Sequence, residues 1–244
     1  MLLVLAGVLA GVVGSAGGIT SLISYPALLA VGLSPLAATL TNSVSLVASW
    51  PGSGWGSRPE LRGQSGWLWR WSLLAGSGGV IGAALLLVTR EGIFGRVVPF
   101  LIGLAAVALL LQPRLARWRG LAGDSGRRRL LASGLFGTSV YNGYFGAGSG
   151  VMVLTLMLLT VDSRYPVANA LKNMLVGVAT LVAAIAFAFS ARVAWWAVAP
   201  LALGLLGGSY LGPKVARSVP QTPLRVLVAL GGLALAVHLW LIAS

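Results

Sequence analysis

The chain contains no cysteine among its 244 residues. Disulfide bonds, thiolate metal sites and a thiol nucleophile are therefore excluded. Acidic residues are almost as scarce, and all four fall in predicted loops: Glu60, Glu91, Asp124 and Asp162. A cation site built from carboxylates and a carboxylate proton relay both need acids inside the apolar segments. We therefore expect no metal, no cofactor and a substrate that is anionic or neutral.

Charge of the opposite sign is common, with 17 basic residues and a formal net charge of +13. In a soluble protein this excess would suggest nucleic acid as a partner. Here 57% of the residues are hydrophobic and only 9% are charged, and most basic residues lie in short stretches between apolar segments. That arrangement is typical of a polytopic membrane protein that follows the positive-inside rule. We expect contact with the lipid bilayer, including its anionic lipids, and no nucleic acid.

The apolar segments predict an all-α membrane protein with 8–10 membrane segments. Their predicted ranges are 1–14, 19–31, 36–50, 68–88, 94–111, 130–145, 151–161, the Lys172 segment ending at 189, 195–211 and 223–241. A glycine-rich polar loop is predicted at 51–66, and tryptophans at segment ends indicate the membrane interface. The pieces at 1–14 and 19–31 are each too short for a core of about 30 Å, so we expect a hairpin or broken helix there.

The second half of the chain repeats the order of the first. An offset of 131 residues brings Pro35 onto Pro166, Asn42 onto Asn173 and Gly17 onto Gly148, although it also brings Thr41 onto Lys172. We predict a first membrane repeat at 1–112, a basic cytoplasmic linker at 113–129 and a second repeat at 130–244. Each repeat would hold a broken helix or hairpin and three spanning helices.

The positive-inside rule gives the expected orientation of these repeats. Parallel halves would put ten basic residues on the inner side and six on the outer side, with the buried Lys172 left out. Inverted halves would change this division to thirteen and three. The rule therefore favours inverted repeats.

Lys172 is the only charged residue deep inside an apolar segment. A lysine at the centre of a membrane helix costs roughly 2.5–3.5 kcal/mol, so it usually faces a cavity or a partner. Asn169 and Asn173 lie three residues before it and one after it, which puts all three on one helix face. The alternative is a lysine near a helix end that extends its ammonium group to the headgroups. The two asparagines favour a polar site.

Two glycine-rich breaks, at 14–18 and 146–150, are the second candidate feature. A broken helix exposes backbone N–H groups and a partial positive charge at its N-terminus, which together suit an anion. The alternative is that these glycines only allow close helix packing. We predict an anion site between the halves, with no catalytic residue. Its candidate residues are Lys172, Asn173, Asn169, Asn42, Thr41, Ser15, Gly17, Gly18, Thr20, Asn142, Gly148 and Ser149.

The stretches GSAGGITSLISYPALLAVGLSPLAATLTNSV (14–44) and GLFGTSVYNGYFGAGSGVM (134–152) resemble the two repeat signatures of the sulfite exporter TauE/SafE family of membrane permeases. The second glycine cluster departs from the family pattern, since it reads Gly-Ala-Gly-Ser-Gly. The resemblance implies transport of sulfite, sulfonates or related organosulfur anions across the bacterial inner membrane. It leaves open the exact substrate and whether the direction is import or export.

The two alternatives to a transporter are a membrane enzyme and a membrane scaffold. A membrane enzyme would need an acid–base pair or a nucleophile, and the apolar segments offer only the lone His238 near the end of the last one. We therefore expect no enzyme. A non-transporting membrane scaffold or assembly factor would suit the glycine-rich helices but would give the Lys172 face no purpose. The oligomeric state is left open, including a homo-oligomer.

Overall fold

The computed structural model describes residues 1–116, 124–190 and 192–218, together with the single positions 230, 234, 237, 240 and 241. The regular structure in these residues is entirely helical. The predicted span at 223–241, with His238, lies almost wholly outside the described residues, as does the middle of the basic linker. The helices are α1 (Leu2–Gly17), α2 (Ser21–Ala30), α3 (Pro35–Leu46), α4 (Ser49–Gly56), α5 (Arg58–Leu61), α6 (Ser65–Val88), α7 (Glu91–Ala116), α8 (Asp124–Tyr144), α9 (Ser149–Thr160), α10 (Tyr165–Ala188) and α11 (Trp195–Ser218).

The predicted loop at 51–66 is wrong in part, because α4 and α5 occupy most of it. Glycine disfavours an isolated helix, but here it permits close packing. A Cβ atom on Gly52 would lie 2.5 Å from the Leu206 carbonyl oxygen of α11. The predicted linker at 113–129 overlaps described helix at both ends, because α7 extends to Ala116 and α8 includes the last three arginines of the linker. Three of the four acids consequently lie in helices rather than loops, namely Glu60, Glu91 and Asp124, of which the last two are first residues.

Two of the described helices, α6 and α10, are long and apolar enough to cross a membrane. Each has 24 residues, which corresponds to about 36 Å of helix. The helices α2 and α9 have only 10 and 12 residues. Neither can cross a hydrocarbon core of about 30 Å alone, so α1–α2 and α8–α9 are broken elements, as the short apolar segments predict. The architecture is that of an all-α membrane protein.

Close packing of small residues joins the first part of the chain to its last described helix. α1 runs parallel to α11: Gly7 contacts Gly204, and Gly11 contacts the backbone around Gly208. Further along, the Ser15 hydroxyl donates to the Ser209 carbonyl over 3.2 Å. Small residues let the two backbones approach within van der Waals distance, which is the main attraction available between helices in lipid.

The helices α6 and α8 pack in the same way and are also parallel. A Cβ atom on Gly78 would lie 2.7 Å from Cβ of Ser139, and Gly82 contacts Gly143 one turn further on. The end of α6 lies beside Ser190, at the end of α10, and beside Leu36, at the start of α3. α6 is therefore parallel to α10 and antiparallel to α3.

α11 runs in the opposite direction to α6. It begins near α3, where the Ala194 N–H donates to the Thr41 hydroxyl over 3.0 Å, and it ends beside α5, where Arg217 donates to Glu60 over 2.8 Å. α10 is antiparallel to α1, because Tyr165 reaches Ala16 and Lys172 reaches Gly14. The start of α10 and the break after α1 are thereby held together, which positions the candidate site.

The buried apolar side chains of the described residues form two clusters. One contains Leu36, Phe94, Phe145 and Phe187 and joins both halves of the chain. The other centres on α9 and α10, with Leu154, Leu171 and Leu175. Polar residues are buried beside these clusters rather than at the surface, and they belong mainly to the two breaks and to α3 and α10.

Candidate substrate site

The two predicted glycine breaks are in direct contact. α1 is capped by Gly18, whose φ of 84° is a left-handed conformation, and α9 begins after Gly148, whose φ is 75°. A Cβ atom on Gly18 would lie 2.5 Å from the carbonyl carbon of Gly150, so only glycine fits this approach. The chain interruptions of the two halves therefore meet at one place.

A cavity of about 50 Å³ lies beside this contact. Because one water needs about 10–15 Å³ of such volume, the cavity holds a few waters or one small ion. Its lining comes from both halves. The lining residues are Gly14, Ser15, Gly18, Thr20, Ser21, Leu46, Ser49, Ser53, Asn142, Gly146, Ser149, Gly150, Lys172, Asn173, Val176, Gly177 and Thr180.

Lys172 reaches this cavity from α10 and is only 1% exposed. It lies about two turns from the start of the helix, and its Nζ donates to the Gly14 carbonyl oxygen over 3.3 Å. A lysine that extends to the headgroups keeps its ammonium group in water. The burial of Lys172 is therefore contrary to that alternative.

The polar face of α10 caps the end of α1. Tyr165 donates to the Ala16 carbonyl over 2.8 Å, and Asn169 and Asn173 donate to the Ser15 carbonyl over 2.8 Å and 3.0 Å. The last carbonyls of a helix have no intrahelical partner, so side chains that reach them stabilise the helix end. The asparagines and the lysine predicted for substrate binding thus also have a structural use.

Two asparagines hold hydroxyl groups around the cavity by the same pattern. Asn142 accepts from Ser149 over 2.6 Å and donates to Thr180 over 3.0 Å. Asn42 accepts from Ser24 over 2.6 Å and donates to Ser21 over 3.1 Å. Ser21 and Thr180 both line the cavity. Because each of these two hydroxyl oxygens accepts an amide hydrogen, its own proton is left to donate to a ligand.

Seven of the twelve predicted residues line the cavity, and five do not. Those that line it are Ser15, Gly18, Thr20, Asn142, Ser149, Lys172 and Asn173. Asn42 lies one side chain behind it, through Ser21, while Gly17 and Gly148 flank it in the two breaks. Asn169 is used in capping α1, and Thr41 accepts the N–H of Ala194 before α11. Thr41 therefore does not reach the cavity, although the offset of 131 residues aligns it with Lys172.

Several lining residues were not predicted. Thr180 extends the α10 face by two turns beyond Lys172, so continuing the i, i+4 spacing would have found it. Ser49 and Ser53 show the same spacing on α4. Ser49 lies near the end of the predicted segment 36–50, and Ser53 lies in the predicted loop 51–66. Ser21 and Gly177 are also outside the prediction, whereas Gly14, Gly146 and Gly150 belong to the two predicted breaks although they are not among the twelve candidates. Their roles depend on how the helices pack.

The electrostatics of the cavity favour negative charge. The short helices α2 and α9 both begin there, at Ser21 and Ser149, and a helix N-terminus carries a partial positive charge. Lys172 adds an amino group that is positively charged when protonated, and no carboxylate is among the described lining residues. No group of three or more side chains suited to a metal occurs in the described part of the chain. The cavity is a small, donor-rich site.

Comparison with known proteins agrees with the resemblance seen in the two glycine-rich stretches. A family model described as sulfite exporter TauE/SafE matches residues 3–239. A "Probable membrane transporter protein" of Haemophilus influenzae is 26% identical over 233 residues, which cover 92% of this chain and 88% of that relative. No solved structure matches the chain.

Proposed function

Since the chain belongs to the sulfite exporter TauE/SafE family of membrane transporters, we propose that it carries a small anion across the bacterial inner membrane as a multi-pass secondary transporter. The anion we propose is sulfite or an organosulfur anion such as a sulfonate. It would bind in the cavity between the two glycine breaks, with Lys172 as its charge partner.

The observation that carries this proposal is the environment of the Lys172 ammonium group. It is buried, it lines the cavity, and among the described residues its hydrogen bond to Gly14 is the one it makes. An ammonium group has three donors, and a buried charge without a counter-ion is destabilising. An anion in the cavity would supply both the missing acceptors and the opposite charge.

The size and chemistry of the cavity support a small oxyanion. Drug-sized ligands occupy roughly 300–1,000 Å³, whereas this cavity has about 50 Å³. A compact anion with three oxygen acceptors suits the hydroxyls of Ser21 and Thr180 and the ammonium group of Lys172. A longer sulfonate would need the cavity to widen, so sulfite is the better fit of the two.

We also propose that the two halves are inverted repeats. Three observations support this: α1 packs on α11 while α8 packs on α6, both breaks meet at one cavity, and α6 and α11 run in opposite directions. In sequence, an offset of 130 residues brings the range of α6, residues 65–88, onto that of α11, residues 195–218. Opposite directions of corresponding helices are what inversion in the membrane plane produces.

The described basic residues support an orientation for these repeats. Nine lie at the end of the molecule where α10 begins: Arg58, Arg62, Arg70, Arg127, Arg128, Arg129, Arg164, Lys214 and Arg217. Three lie toward the opposite end: Arg90, Arg96 and Arg192. By the positive-inside rule, the end with nine is cytoplasmic.

The scaffold alternative draws support from one observation. Tyr165, Asn169, Lys172 and Asn173 all donate to carbonyls at the end of α1, so the polar face of α10 has a purpose even without a ligand. A scaffold would need only this capping. The deciding experiment must therefore separate the capping of α1 from the binding of an anion.

Thermal unfolding of the purified protein with a panel of anions makes this separation. The panel contains sulfite, thiosulfate, sulfoacetate and taurine, with simple carboxylates as controls, and the variants are Lys172→Gln and Tyr165→Phe. Tyr165→Phe removes a capping hydrogen bond but leaves the cavity lining intact. We expect sulfite to raise Tm of the wild type and of Tyr165→Phe, and to have little effect on Lys172→Gln.

The size of the expected effect follows from the loss of a charged hydrogen-bond partner. Such a bond contributes about 1.5–3 kcal/mol, so Lys172→Gln should weaken anion binding roughly 10- to 100-fold. If no anion stabilises the wild type, the transport site is not at this cavity. That result would favour the alternative of a non-transporting scaffold. If both variants respond like the wild type, an anion binds without Lys172.

A further inference from the structure

A second, larger cavity lies at the arginine-rich end of the molecule, between α6, α8 and the end of α9. Its volume is about 830 Å³, far above that of the anion cavity. We call it the basic pocket. Its lining residues are Gly66, Trp67, Arg70, Trp71, Leu74, Arg127, Arg128, Leu131, Thr160 and Val161.

The walls of the basic pocket differ in character. On α6, Trp67, Arg70, Trp71 and Leu74 follow the i, i+3, i+4, i+7 pattern of one helix face. The two indole rings lie against each other, with centroids 5.9 Å apart. Leu131 of α8 is buried and forms part of an apolar wall. The pocket thus combines a cationic rim with an aromatic and aliphatic interior.

The charged residues among the described lining of the basic pocket are all basic. Three guanidinium groups line it, those of Arg70, Arg127 and Arg128, and no carboxylate is among the described lining residues. Guanidinium groups bind phosphate in a bidentate manner and are less strongly hydrated than ammonium groups. This composition selects a ligand with a phosphate group.

The position of the basic pocket selects a lipid over a free phosphate. Tryptophan is enriched at the level of the lipid headgroups, and basic pockets between membrane helices bind anionic headgroups. The pocket reaches two turns along α6, from Gly66 to Leu74, so it passes from the headgroup level into the apolar region. A free anion would leave the walls of Trp67, Leu74 and Leu131 without an apolar partner.

We infer that the basic pocket binds one anionic phospholipid, with the phosphodiester on the three arginines and the upper part of an acyl chain against the apolar wall. The lipid holds the start of α6 against the start of α8 and the end of α9. This site is separate from the anion cavity, and it does not depend on which substrate the protein carries.

Native mass spectrometry of the delipidated protein tests this inference. Phosphatidylglycerol, phosphatidylcholine and inorganic phosphate are titrated separately against the wild type and against Arg70→Gln/Arg127→Gln/Arg128→Gln. We expect the wild type to bind one phosphatidylglycerol in preference to phosphatidylcholine. Because each arginine near a membrane surface contributes about fivefold in anionic lipid affinity, the triple variant should bind it at least about tenfold more weakly.

A charge-matched control is Arg62→Gln/Arg90→Gln/Arg129→Gln, which removes three exposed arginines outside the pocket. It should keep the affinity of the wild type for phosphatidylglycerol. Equal losses in the two triple variants would mean that net charge alone attracts the lipid, and the inference would fail.

A second variant fills the basic pocket without changing its charge. A Cβ atom on Gly66, the second residue of α6, meets no other atom within 4 Å, so Gly66→Phe fits the fold. Gly92 has the same open surroundings and is the second residue of α7, which makes Gly92→Phe a matched control. We expect Gly66→Phe to weaken phosphatidylglycerol binding and Gly92→Phe to leave it unchanged.

Three further results would overturn the inference. Phosphatidylcholine binding as tightly as phosphatidylglycerol would show that the phosphate charge is not recognised. Inorganic phosphate binding as tightly as phosphatidylglycerol would indicate a free-anion site. Full lipid binding by Gly66→Phe would put the lipid elsewhere on the protein.

Discussion

At the scale of single residues, Lys172 combines two tasks that are usually separate. Its ammonium group donates to a carbonyl at the end of α1 and also faces the anion cavity. A cation at a helix C-terminus is favourable in itself, because the end of the helix carries a partial negative charge. The helix end therefore offsets part of the cost of burying the lysine, and an anion in the cavity would supply the counter-ion and the further acceptors that it lacks.

Asn142 is expected to act on the anion through the hydroxyls that it holds. Asn142→Ala removes the hydrogen bonds to Ser149 and Thr180, each of which contributes about 0.5–1.5 kcal/mol. We expect lower thermal stability and an anion affinity that falls about fivefold or more, measured by unfolding with and without sulfite.

Asn169→Ala is the matched control for this prediction. Asn169 loses one hydrogen bond, to the Ser15 carbonyl, and does not line the cavity. Stability should fall while the response to sulfite stays that of the wild type. A loss of sulfite response in Asn169→Ala equal to that in Asn142→Ala would contradict the assignment of hydroxyl positioning to Asn142.

At the scale of helices, glycine is used for approach between backbones more than for flexibility. Gly18 and Gly32 both have left-handed conformations, with φ of 84° and 90°. They differ in surroundings, since a Cβ atom on Gly18 meets Gly150 while one on Gly32 meets nothing within 4 Å. Comparing alanine substitutions at Gly18 and Gly32 therefore separates the cost of the left-handed backbone from the cost of a steric clash with Gly150.

Gly32→Ala should therefore cost only the left-handed conformation, about 1–2 kcal/mol. Gly18→Ala should cost about 1–3 kcal/mol more, because the new methyl group forces the two breaks apart. The free energy of unfolding of both variants in detergent measures the difference. Equal costs would mean that the breaks do not touch. We also expect Gly18→Ala, but not Gly32→Ala, to weaken sulfite binding.

The interface between α6 and α8 makes a similar comparison possible. A Cβ atom on Gly78 would lie 2.7 Å from Cβ of Ser139, whereas Gly137, on α8 itself, has open space around it. Gly78→Ala should destabilise the protein by about 1–3 kcal/mol. Gly137→Ala should be neutral or slightly stabilising, because alanine is the better helix former. Thermal unfolding checks both, and a neutral Gly78→Ala would be evidence against close packing here.

At the scale of the whole molecule, one ion pair joins the two parts of the chain at the arginine-rich end. Arg217 of α11 donates to both oxygens of Glu60 in α5, each over 2.8 Å. Partial burial raises the pKa of Glu60, but the hydrogen bonds and charge of Arg217 outweigh this, so its pKa is lowered overall. The pair thus favours the ionised carboxylate in the folded protein.

The lowered pKa of Glu60 predicts how stability depends on pH. The contribution of the pair is fully present above the unfolded pKa of glutamate, about 4.3, and is lost as pH falls through the lower folded value. The pair is partly exposed, so we expect less than about 1 kcal/mol. Unfolding of Glu60→Gln and the wild type from pH 7 to 3 measures it. The difference between them should shrink toward acid pH, and a constant or growing difference would contradict the prediction.

Orientation in the membrane is testable because the chain has no cysteine of its own. Single cysteines at Arg192 and Lys214, both exposed, should react with a membrane-impermeant maleimide from opposite sides. We expect Lys214→Cys to be labelled from the cytoplasm and Arg192→Cys from outside. Parallel repeats predict the reverse for both residues. Arg62→Cys provides the cytoplasmic control, because it is inside under either arrangement.

Local features of the amino-acid sequence were enough to predict the class of this protein, its helix breaks and its family. Composition indicated a helical membrane protein, the glycine clusters marked both breaks, and the two repeat signatures identified a family that the comparison confirms. These properties depend on residues close together in sequence, where hydropathy, helical spacing and backbone freedom act directly. The buried face around Lys172 belongs to the same class, because three residues on one helix turn need no tertiary contact to share a face.

Long-range packing accounts for what the pattern missed. Thr41 aligns with Lys172 yet contacts Ala194, and Ser49 and Ser53 reach the cavity from a segment predicted to be mostly loop. That segment is helical because Gly52 and Gly56 pack against α11, a contact that spans about 150 residues of chain. Glycine carries no local signal for helix, so only the partner backbone stabilises α4. The cavity itself arises in the same way, where Gly18 meets Gly150 and two helix breaks become one site.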